Sequence, residues 1–141
     1  MGPFECLADM SERSEWLTWS LAGLEVTQLR FDYQFHVHVW SPDRDLLVSF
    51  GAPFTLRPPE GEPHTFDPER NESLGPLLSL LHLPVTQFAA SSGGECALLF
   101  GGGAELRGAP HERYEAWESH GKGDLASASL LCGVGGGSPW E

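Results

Sequence analysis

The sequence predicts a single α+β domain. Its antiparallel sheet of about six or seven strands is built from two copied three-strand meanders, and a helix between the halves covers one face. Three observations predict this. The tripeptides VTQ (Val26–Gln28, Val85–Gln87) and GAP (Gly51–Pro53, Gly108–Pro110) recur in the same order, 25 residues apart in the first half and 23 in the second. Phe35, Val37 and Val39 alternate with His36, His38 and Trp40, the period of a half-buried strand. Asp67-Pro68-Glu69 supplies an N-cap acid, a proline at the first helical position and a first-turn acid, ahead of the apolar Leu77, Leu78, Leu80 and Leu81.

The elements follow in order. Residues 1–20 form an N-terminal extension, either a short helix begun by Asp9-Met10-Ser11-Glu12 or a partly disordered tail. Residues 21–132 form the domain. Its first half reads as a strand over Glu25–Phe31, a turn at DYQ, the alternating strand from Phe35, a turn at SPDRD, and a long strand over Leu46–Arg57. Gly51-Ala52-Pro53 interrupts that strand with a bulge or an edge position, because proline cannot donate to a ladder. Pro58–Thr65 reads as an exposed loop. Gly75-Pro76 breaks or restarts the helix. In the second half, Val85–Ala90, Glu95–Phe100 and Ala104–Arg107 are strands joined by SSGG and GGG turns. HERYEAWESHG is a sixth strand or the loop leading into one, with one of Tyr114 and Trp117 in the core, and Ala126–Leu131 closes the sheet. Residues 133–141 read as a flexible tail. The chain has 17 glycines and 11 prolines, which favours short strands with many turns over long helices.

Charge narrows the function. Twenty acids against eight bases leave a formal −12, and Lys122 is the only lysine. Such a surface repels nucleic-acid backbones and anionic membranes, and steers in basic partners. No run of apolar residues is long enough to span a bilayer, and the first residues carry neither a basic region nor an apolar stretch, so a cytoplasmic location is expected. Cys6, Cys96 and Cys132 have no CxxC spacing, which argues against a disulfide framework or a zinc knuckle. Cys96 reads as a buried thiol and Cys132 as a more exposed one. The glycine clusters lack the GK[ST] of a phosphate-binding loop, and Ser91-Ser92-Gly93 is not a nucleophile elbow.

Two residue groups carry candidate sites. His36 and His38 leave one strand face together, as a metal site would need, with His64, His82, His111 or His120 as a third ligand. The plainer reading is a solvated face, and no metal or other cofactor is expected. Glu112, Tyr114, Glu115, Trp117 and Glu118 form an acidic-aromatic stretch suited to protein contact. In a strand, Glu112 and Glu118 share a face and Glu115 takes the other, so no carboxylate pair converges for acid–base catalysis.

LAGLEVTQLRFDYQFHVHVW, the central FDPE, LLHLPVTQ and LLFGGGAELRGAPHERYEAWESHGKG together resemble a family of small, uncharacterised actinobacterial proteins, a domain of unknown function with a YEAWE-type motif. The resemblance covers about residues 22–130 and implies no catalytic residue. By size, acidity and fold pattern it is similar to the immunity proteins of bacterial toxin systems. The expected function is a non-enzymatic protein-interaction domain, immunity-like and directed at a basic partner, acting as a monomer or homodimer. The alternative is a small-ligand or metal-binding domain using histidines on the open sheet face.

Overall fold

The computed structural model describes residues 15–70 and 74–140. Eleven strands are present among them: β1 (Trp16–Ser20), β2 (Val26–Phe31), β3 (Phe35–Ser41), β4 (Arg44–Phe50), β5 (Phe54–Arg57), β6 (His64–Phe66), β7 (Val85–Ser91), β8 (Cys96–Phe100), β9 (Glu105–Gly108), β10 (Trp117–Gly123) and β11 (Leu130–Cys132). They form two antiparallel sheets, β1-β7-β8-β9-β5-β6 and β11-β10-β4-β3-β2. One apolar cluster draws on both, and Phe54 of the first sheet stacks on Phe35 and Phe50 of the second at 5.2 and 4.8 Å. The architecture is a two-layer β structure with the core between the sheets.

The α+β expectation is therefore wrong, and the connector explains why. No α-helix forms among the described residues. Residues 75–80 make a 3₁₀ helix that starts at Gly75-Pro76. Its buried leucines are Leu74, Leu77 and Leu80, three apart, the spacing that eclipses side chains at three residues per turn. Leu78 and Leu81 stay exposed. Asp67 does not cap a helix; its Oδ1 accepts from the Glu69 amide in a local turn. The core is closed by the second sheet.

The VTQ echo is structural. Val26 and Val85 are buried, each is followed by a break in register, and Thr27 and Thr86 sit in those breaks. Their hydroxyls donate to the neighbouring strand at His38 O (3.1 Å) and Leu99 O (3.2 Å). The two copies meet reciprocally: the Val26 amide donates to Leu83 O and the Val85 amide to Leu24 O, both at 3.0 Å. The GAP echo is not equivalent. Rungs Val37↔Val48 and Leu98↔Leu106 correspond, so Phe50 answers to Gly108 and the second GAP lies one residue out of step.

Gly51–Pro53 is neither a bulge nor a strand edge. It carries the chain from one sheet to the other, so β5 pairs with β9 of the second half. The stretch after Gly108 does the reverse, sending β10 to pair with β4 of the first. Each half thus completes the other's sheet. Residues 16–20, expected in the N-terminal extension, form β1 against β7; residues 1–14 lie outside the described residues. Residues 126–128 are a 3₁₀ turn ahead of β11. The C-terminal residues fold back, with Pro139 O accepting from the Leu131 amide and Trp140 packed on the core.

In the aligned copies, Gly23 and His82 occupy the same turn, with φ of +87° and +69°. Histidine in this left-handed region carries strain that glycine lacks, against which glycine loses more chain entropy on folding. His82→Gly is expected to stabilise the fold by about 0.5–1 kcal/mol, read as a rise in the urea midpoint at unchanged m-value.

Candidate functional site

Ladder register decides which side chains meet. Phe35, Phe50 and Trp117 lie on adjacent rungs of β3, β4 and β10 at one end of the second sheet. The turn 32–34, the crossing at Gly51 and the loop entering β10 are consequently gathered there. The Gly51 amide donates to Ala116 O at 3.0 Å, and a Cβ on Gly51 would lie 2.9 Å from Glu115 O and 3.1 Å from Gln34 Nε2.

This end carries both of the chain's tyrosines. Tyr33, at the tip of the β2–β3 turn, is 89% exposed, and Tyr114 is 45% exposed with its ring 4.9 Å from that of His111. A cleft of about 600 Å3 beside Tyr33 is lined by Asp32, Pro68 and Glu69, and a second of about 500 Å3 runs along Pro110–Tyr114. Phe31 and Leu78 line a smaller apolar hollow with Leu74 and Gly75. Asp32, Glu69, Glu112 and Glu115 supply negative charge, set against Arg30, Arg70 and Arg113. Arg30 lies 3.8 Å from Asp32, and Arg70 lies 3.9 Å from Asp67.

The expected contact residues divide. Glu112, Tyr114 and Glu115 are exposed, in a loop that only becomes strand at Trp117. Trp117 is core: 1% exposed, edge-on to Phe88, with Nε1 donating to Gly94 O at 2.9 Å. It has no ring face to offer a partner. Glu118 stands apart from the loop, on the outer face of the second sheet beside His120. Cys132, expected near the surface, is buried like Cys96, and loss of hydration pushes both thiols up.

The outer face of that sheet holds the histidines. Rungs Arg30↔His36, His36↔Ser49, Gln28↔His38 and His38↔Leu47 put these side chains on one side. His36 Nε2 bonds to Asp32 Oδ1 at 3.0 Å and its Nδ1 to Ser49 Oγ at 2.7 Å, while His38 Nε2 bonds to Asp45 Oδ1 at 2.8 Å. The Asp32 carboxyl is held below its ordinary value, first by the Gln34 amide and then by His36. Asp32–His36–Ser49 has the connectivity of a hydrolytic triad, but Ser49 is 2% exposed, so its oxygen has no path to a substrate. Both ring nitrogens of His36 are engaged, and no three metal-ligating groups converge among the described residues.

Sequence reasoning passed over Tyr33, Asp32, Asp45, Arg30 and Gln28. The signal was present for the first two: in a hairpin turned at DYQ, Asp32 and His36 flank the turn and Tyr33 is its tip.

A model of DUF6188, a family of unknown function, matches residues 17–137. The chain belongs to the DUF6188 family. The match takes in both halves, from β1 to the residues that follow β11. No curated protein and no solved structure matches. No described helix is long and apolar enough to cross a membrane.

Proposed function

We propose that the chain is a binding domain, without chemistry of its own, for a basic protein partner that docks on the tyrosine-bearing end. The observation that carries this is the exposure of both tyrosines there, among Asp32, Glu69, Glu112 and Glu115. Aromatic groups inside a charged rim are the usual anatomy of a protein contact, since tyrosine buries a large area with few rotamers to fix. The formal charge of −12 steers such a partner in and makes the encounter salt-dependent. A basic toxin domain capped at this end, as by an immunity protein, is the specific form of the proposal.

The test is parallel capture from host lysate by the wild-type chain and by a Tyr33→Ala, Tyr114→Ala double variant, at low and high salt. A basic protein retained by the wild type, released by salt and lost by about a hundredfold in the variant is the expected result. Equal retention by both chains, or no partner at either salt, removes the reading.

A further inference from the structure

We infer that the outer face of the five-stranded sheet holds a site for a small oxyanion, of phosphate or acetate size, seated between Gln28, Arg30 and His38. A concavity of about 150 Å3 opens there, lined by these three residues with His36 and Leu47.

The duplication provides an internal comparison. Rungs Gln28↔His38 and Arg30↔His36 correspond, copy to copy, to Gln87↔Leu99 and Ala89↔Ala97. In the second copy Gln87 keeps the glutamine, half-buried, while Ala89, Ala97 and Leu99 are small or apolar and buried, with Trp16 packed on Ala97 and Leu99. The scaffold therefore folds with alanine and leucine at rungs where the first copy carries a guanidinium and two imidazoles. The first copy's outer face thus gathers one of the chain's seven arginines and two of its six histidines, which strand pairing alone does not require.

Donors remain to be used. Gln28 and His38 Nδ1 have no hydrogen-bond partner among the described residues, and Arg30 has only its 3.8 Å approach to Asp32. Asp45 on Nε2 of His38 fixes a proton at that nitrogen, so a second proton makes Nδ1 a donor as well. Arg30, Gln28 and protonated His38 then present charge-assisted and neutral N–H groups to one anion.

Occupancy is coupled to protons. The charged and titratable groups around the hollow are Arg30 on β2, His36 and His38 on β3, Asp45 on β4 and Asp32 in the turn, with Glu118, His120 and Lys122 of β10 beyond β4. With both imidazoles neutral, two carboxylates outweigh one guanidinium; with both protonated, the balance becomes positive. An anion binds the second state, so binding takes up protons and tightens on acidification.

The experiment titrates the folded chain with inorganic phosphate in one arm and acetate in the other, at constant ionic strength. Histidine ring resonances and binding heat are followed at about pH 6 and about pH 8. We expect saturable perturbation of the His38 ring in at least one arm, tighter at the lower pH once the anion's own protonation is allowed for. Arg30→Gln, an exposed edge-strand change, should weaken it by about tenfold or more; Arg57→Gln, an exposed change on β5 of the other sheet, should leave it unchanged. The arm that saturates at lower concentration tells phosphate from carboxylate. Neither anion saturating, Arg30→Gln binding like the wild type, or no gain at the lower pH would each overturn the inference. Tyr33 and Tyr114 are untouched throughout, so its failure is separable from that of the proposed partner surface.

Discussion

Trp117→Ala is expected to lower the unfolding free energy by about 3–5 kcal/mol, within the range for removing a buried aromatic side chain. The indole lies where the copies interlock. Its strand neighbours are Phe50 and Cys132, its ring meets Phe88 edge-on at 6.2 Å, and its Nε1 satisfies Gly94 O. Alanine opens a cavity between the sheets and leaves the Gly94 carbonyl without that donor. Phenylalanine keeps most of the volume and loses the hydrogen bond, so Trp117→Phe should cost about 1–2 kcal/mol. Urea unfolding of the three chains at fixed pH checks both values. A loss below about 1 kcal/mol for alanine contradicts the burial argument.

Gly121→Ala should be nearly as damaging, although it adds a single carbon. Gly121 of β10 pairs with Leu46 of β4, and the chain turning back through Leu125 comes so close that a Cβ on Gly121 would overlap the Leu125 carbonyl oxygen. The obstacle is backbone, which cannot move aside as a side-chain tip does. The Gly121 amide also donates to Ser129 Oγ at 3.0 Å, tying the same turn down. A cost of about 3 kcal/mol or more follows from overpacking at a fixed main chain. Lys122→Ala, the adjacent exposed position, should stay within about 0.5 kcal/mol and serves as the control for helix- or strand-propensity effects.

Strands were the legible part of this sequence. Period two at Phe35–Trp40 and the turn residues around it need only local chemistry, and the structure has strands there. The VTQ echo was legible for the same reason: each residue has a local role, valine inward, threonine bonding across a break in register, glutamine outward. The connector misled because a Leu-rich run after an acid and a proline fits an α-helix, and only the three-residue spacing of Leu74, Leu77 and Leu80 argues for the tighter one. The change of sheet at Gly51–Pro53 left no local trace, since which sheet a strand joins is decided by partners far along the chain. The site was half legible. His36 and His38 were singled out by spacing, but Arg30, Gln28 and Asp45 join them only through pairing across three strands. Which of Tyr114 and Trp117 is the core aromatic stayed open because alternation says which residues share a face, not which face is covered; the structure buries Trp117.

The exchange of β5 and β10 between the halves has an ancestral implication. A lone repeat would expose an incomplete sheet edge, and two separate chains could satisfy each other only by trading their last strands, as in a swapped homodimer. Joining two such subunits end to end through residues 67–84 yields the present topology. In one chain the two halves need not be identical, and their outer faces do differ: Arg30, His36 and His38 on the first stand where the second has Ala89, Ala97 and Leu99.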